Sequence, residues 1–208
     1  MGEFLKGSGR DDKEIVEALL RLRGMQVPEF SKEYTLGVPK MIWKIACTYQ
    51  CLIRRTVEAA DGSRMGWNAG NLLTCLTMAR SVMETAGVVR FLTDSIKEAV
   101  PKKDTKGIDD AVMNLSFAAR HEHFADFDGA VKAKSVLTYI DKMDVSVFGD
   151  KEGRIRDAYD FLCEFVHPNH LGLLGLYERS YPEEYRIEFG AKREGRWISF
   201  PILGLRSE

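Results

Sequence analysis

A mainly α-helical bundle with a small C-terminal β-hairpin is the fold this sequence predicts, and three observations carry it. Apolar residues recur at helical spacing through six separate stretches. Glycine, proline and Asp-Gly breaks punctuate those stretches. Alternation at period two is confined to the last thirty or so residues.

The first ten residues hold three glycines and a serine and read as a flexible leader. Asp11 or Asp12 then caps a helix in which Ile15, Leu19 and Leu22 share a face, ending at Gly24. A connector opens at Pro28. Pro39, a favoured first-turn residue, starts a second helix. Ile42, Ile45, Ala46, Tyr49, Leu52, Ile53 and Val57 carry it to about Ala60, where Asp61-Gly62 is expected to end it. The longest helix is expected over 68–100, before Pro101. Its stripe is Leu72, Cys75, Leu76, Ala79, Val82, Met83, Ala86 and Val89.

Shorter helices are expected over 109–120 and 132–143. A last one covers 153–166, and Pro168 stops it by pushing the preceding residue out of the α region. The segments 185–189 (YRIEF) and 196–200 (RWISF) flank a glycine-bounded polar loop and predict the hairpin. Two strands alone are marginal in water, so Ile187, Phe189 and Trp197 should dock on the helices or on another chain. The domain plan is a leader over 1–10, a helical bundle over 11–180 and a hairpin appendage over 181–208.

Thirty Lys and Arg against 31 Asp and Glu leave a net charge of −1. That argues against a duplex-DNA partner, which demands a basic excess. No window approaches the roughly 18 uninterrupted apolar residues of a membrane span, and no signal-peptide apolar core is present. A cytoplasmic protein with no membrane partner is therefore expected. Cys47, Cys51, Cys75 and Cys163 form no C-x-x-C and read as core thiols.

The phosphate loop, the dinucleotide fingerprint, the zinc-protease helix and the nucleophile elbow are all missing. No cofactor is expected. The four histidines fall in two clusters, His121 with His123 and His167 with His170. Convergence of the two would suit a divalent metal and a metal-dependent hydrolase. However, positions i and i+2 point to opposite sides of a helix, and no metal site is assigned.

On the last helix Asp157, Asp160, Glu164 and His167 recur every three or four residues, so they line one polar face. His167 at its C-terminal end suits either a helix cap or a general acid–base. On the long helix Arg80 and Glu84 stand four apart beside the apolar stripe. They suit a structural ion pair, or a pocket in which the guanidinium holds a phosphate. Gly87 one turn on leaves room for a ligand or for close helix packing.

The stretch ARSVMETAGVVRFL (79–92), followed by YDFLCEFVHPNHLG (159–172), resembles bacterial helical proteins related to the HEPN superfamily and its abortive-infection branches. The resemblance rests on an Arg-x-x-x-Glu helix paired with a helix ending aromatic-x-x-Leu-Cys-x-x-x-His-Pro, and covers about 68–175. It implies a helical bundle, a homodimer and metal-independent RNA cleavage in bacterial stress or phage defence. In that family an arginine four to six residues before a histidine supplies the site. This chain has none before His167, so Arg80 from the other helix would have to provide the guanidinium.

The expected pocket accordingly contains Arg80 as anion binder, Glu84 as its orienting partner, Tyr159 as a hydroxyl, Glu164, and His167 as the proton-transfer group. Asn169 and His170 would contact the ligand. The competing reading is a non-catalytic module that binds RNA, a nucleotide or a partner protein.

Overall fold

The computed structural model describes residues 11–29, 39–116, 118–119, 131–132, 136–148, 153–168, 177–184 and 186–189. Helices dominate: among the described residues they are α1 (Asp11–Gly24), α2 (Lys40–Asn68), α3 (Leu72–Ala99), α4 (Thr105–Ser116), α5 (Val136–Phe148) and α6 (Arg154–Val166). A mainly helical fold is thus what the chain adopts.

The Asp61-Gly62 pair does not end the second helix. α2 continues eight residues past Ala60 to Asn68. Tertiary contacts override the local breaker: Asp61 forms an ion pair with Arg23 of α1. Gly62 and Gly66, four apart, bring α2 against α3. A methyl on Gly62 would lie 3.0 Å from the Met78 side chain, and one on Gly66 would lie 2.7 Å from the Cys75 backbone nitrogen. The turn comes instead at Gly70, whose φ of +69° is left-handed. Asn71 then caps α3 by accepting from the Thr74 N–H at 3.0 Å.

α4 begins four residues earlier than expected, because Asp104 accepts from the Gly107 N–H at 2.8 Å and serves as its cap. α5 is displaced toward the C-terminus, to 136–148. α6 begins after Gly153, whose φ of +64° favours glycine, and ends at His167 before Pro168.

α3 is the hub. It packs on α2, α4, α5 and α6. Leu92 (0% exposed) joins Ala111 and Val112 of α4, with Ile45, Tyr49 and Leu52 of α2 around them. A second cluster, Ile140 and Met143 of α5 with Tyr159 of α6, packs on Met83 and Ala86 of α3. The buried Thr85 is satisfied on both sides: its hydroxyl donates to the Ser81 carbonyl at 2.7 Å and accepts from Arg55 Nε at 3.2 Å. Among the described residues α3 is the one helix long and apolar enough to cross a membrane. In this fold four other helices pack on it.

Gly87 serves close packing. A methyl there would lie 3.2 Å from both the carbonyl carbon and the Cβ of Tyr139 on α5, inside the roughly 3.5–4.0 Å optimum for carbon contacts. Gly87→Val should therefore push α3 and α5 apart and cost about 1–3 kcal/mol. A melting temperature equal to that of the parent protein would contradict this packing role.

Short strands complete the described residues. β1 (Ala118–Ala119) pairs in parallel with β2 (Val131–Lys132). β3 (Tyr177–Tyr181) pairs antiparallel with β4 (Arg186–Phe189) across the 3-10 turn Pro182–Glu184, with an irregularity between Tyr177 and Arg179. Part of the expected first hairpin strand is thus paired with the segment before it. Its expected partner, 196–200, lies outside the described residues, as does the leader 1–10.

Candidate functional site

The seam between α3 and α6 gathers three of the predicted residues. Arg80 and Glu84 stand one turn apart on α3, and Arg80 Nε donates to Glu84 Oε1 at 3.0 Å. From α6 the Tyr159 hydroxyl donates to the same oxygen at 3.0 Å. The Arg80 guanidinium lies over the Tyr159 ring, 5.4 Å from its centre. One carboxylate oxygen therefore ties a cation and a phenol together across two helices.

The sequence builds this seam through periodicity. Tyr159 falls on the inward stripe of α6 with Ile155 and Cys163, and all three join the Ile140 cluster. Tyr159 is 3% exposed, while Arg80 and Glu84 are half-buried at the seam's edge.

Burial leads the causes that push the Tyr159 hydroxyl up to about 12, and the Glu84 carboxylate adds to it while Arg80 opposes. Near neutral pH Tyr159 is therefore a hydrogen-bond donor and not a base. Burial works against the Arg80 charge, yet Tyr159, Cys163 and Glu84 together hold its pKa above the usual arginine value. What the arrangement offers chemically is a permanently charged guanidinium in a fixed orientation, the kind of group that pairs with a phosphate.

Of the remaining predicted residues, the described ones, Glu164 and His167, make no contact with Arg80, Glu84 or Tyr159 among the described interactions. Glu164 lies on the exposed side of α6. His167 is exposed at the α6 C-terminus, with an extended backbone and its N–H donating to the Cys163 carbonyl at 3.1 Å. The charge on Arg80 is also felt by Cys163, one turn before His167 on α6. Asp157 and Asp160 are exposed, and Asp160 pairs with Arg156, which also reaches Asp141 of α5. The predicted polar face of α6 thus faces outward and binds its neighbours in part. Asn169 and His170 lie outside the described residues, as do His121 and His123. Among the described residues, no three histidine, cysteine or acidic side chains converge as metal ligands.

The core-thiol reading needs correction. Cys75 is buried and Cys47 and Cys163 are half-buried, but Cys51 is exposed, and all four thiols are free. Burial pushes the Cys47 thiol upward, with Cys51 one turn away adding to it. Cys163, read only as filler from the sequence, is a neighbour of both Arg80 and Tyr159. Its spacing of four from Tyr159 was the available signal.

Compared with known proteins, the chain matches no family model, no curated protein and no solved structure.

Proposed function

We propose that the chain is a HEPN-like homodimeric protein of a bacterial stress or phage-defence system that cleaves RNA in the cytoplasm without a metal. The observation that supports this most directly is the Arg80–Glu84–Tyr159 group, which fixes a guanidinium at the seam between α3 and α6, the helix that His167 ends. In this reading Arg80 stabilises charge on the phosphate, His167 transfers the proton and Glu84 orients Arg80. Tyr159, kept protonated, acts as a donor. Glu164 belongs to the same pocket, and Asn169 and His170 contact the ligand.

A second reading has its own support. Arg80 Nε and the Tyr159 hydroxyl already share Glu84 Oε1, an arrangement that also clamps α3 to α6 without any reaction. A module that binds RNA or a nucleotide would need no more than the exposed part of the guanidinium.

The test is an RNA-cleavage assay on total RNA and tRNA, with and without EDTA, alongside His167→Ala. Cleavage that resists EDTA and falls by about a hundredfold or more in the folded variant is the expected result. Cleavage lost to EDTA would favour the metal-dependent hydrolase instead. No cleavage in any lane, with RNA retardation lost on Arg80→Gln, would establish the binding module.

A further inference from the structure

A cavity of about 600 Å³ opens between α1, α2 and α3, on a different face of α3 from Arg80. This volume lies in the range of small-molecule sites, about 300–1,000 Å³. Val16 and Leu19 of α1, Ala60 of α2, and Ala79 and Val82 of α3 supply an apolar wall. Ile15 and Leu20 also line it and are 51% and 55% exposed, leaving apolar surface uncovered at its mouth.

Among the described residues the charges at this cavity do not balance. Arg23 is neutralised by Asp61, and the Ser63 hydroxyl is spent on the Cys75 carbonyl at 3.0 Å. Arg64 remains. It extends the stripe Ile53, Val57 and Ala60 by the helical spacing of four, three and four, so a cation occupies the next place on the inward face of α2. It is half-buried, and among the described residues it has no ion pair and no hydrogen bond. A guanidinium beside an apolar cavity is stabilised by an anion that brings its own apolar body.

We propose that this cavity binds a single-chain amphipathic anion, a fatty-acid-like carboxylate whose head rests on Arg64 and whose tail lies between α1 and α3. The carboxylate supplies the counter-charge that Arg64 lacks among the described residues, and the tail covers Val16, Leu19 and Val82. This inference stands apart from the RNA reading, because neither Arg64 nor the cavity wall belongs to the α3–α6 seam.

Calorimetric titration of the full chain with dodecanoate below its micelle concentration and with dodecanol below its solubility limit tests it. Dodecanoate should bind at least about tenfold more tightly than dodecanol, the advantage of a hydrogen bond to a charged partner. Arg64→Gln should abolish that preference while leaving dodecanol binding and the melting temperature unchanged. Ala79→Phe, which fills the cavity, should weaken both ligands. Equal binding of acid and alcohol, a preference that survives Arg64→Gln, or no binding of either ligand would each overturn the proposal.

Discussion

Tyr159→Ala is expected to lower the free energy of unfolding by about 3–5 kcal/mol, the cost of deleting a buried aromatic ring. The ring is 3% exposed and closes the cluster of Ile140 and Met143 over α3, so its removal opens a void among three helices. Urea denaturation measures the loss directly. An effect no larger than that of Phe161→Ala, on the exposed side of the same helix, would show that the α3–α6 seam is not a core.

Tyr159→Phe separates the ring from its hydroxyl. It keeps the packing and removes one donor to Glu84, at a cost of about 1–3 kcal/mol. It should also alter the alkaline limb of the stability curve. A tyrosine in the unfolded chain ionises near pH 10, whereas folded Tyr159 retains its proton to about 12. Between these values the unfolded state binds fewer protons, so rising pH favours unfolding. Stability from Tyr159 is therefore complete below about pH 10 and is lost as pH climbs toward 12. The variant should show a shallower loss in that window, with Tyr139, raised by its own burial, retaining its share. Identical alkaline curves would contradict the hydroxyl's assignment.

Leu92→Ala is expected to cost about 2–5 kcal/mol. Leu92 is 0% exposed where α2, α3 and α4 meet, in a cluster that shares no member with that of Tyr159. Combined with Tyr159→Phe, the two losses should add to within about 0.5 kcal/mol. A large departure from additivity would mean that α3 transmits strain between its two ends. The single variant, melted beside Leu73→Ala at an exposed position, checks the burial itself.

Much of the fold was legible in the chain. The stripe from Leu72 to Val89 located α3, Pro101 lay just beyond its end, and Pro168 lay just beyond that of α6. Spacing alone also put Arg80 and Glu84 on one face, and they are bonded there. The largest misreading has a tertiary cause. Asp61-Gly62 looked like a stop because local propensity favours one, but Gly62 and Gly66 are contact points with α3, which a one-dimensional pattern does not reveal. Ending α2 there also hid Arg64, whose place on the Ile53–Val57–Ala60 stripe appears only when the helix continues.

What the sequence determined by itself was periodic: which segments are helical and which side chains share a face, whereas the end of α2 and the starts of α4 and α5 fell elsewhere. The periodic features follow from hydrogen-bonding geometry over a few neighbouring residues. The tertiary structure decided what each face meets. It placed Tyr159 against Glu84, 75 positions away in the chain, and turned Asp157 and Asp160 outward. It also filled the space beside Gly87 with the Tyr139 backbone. Those outcomes depend on how helices distant in sequence cross, and helix crossings are set by the packing of whole side-chain surfaces, which local periodicity leaves open.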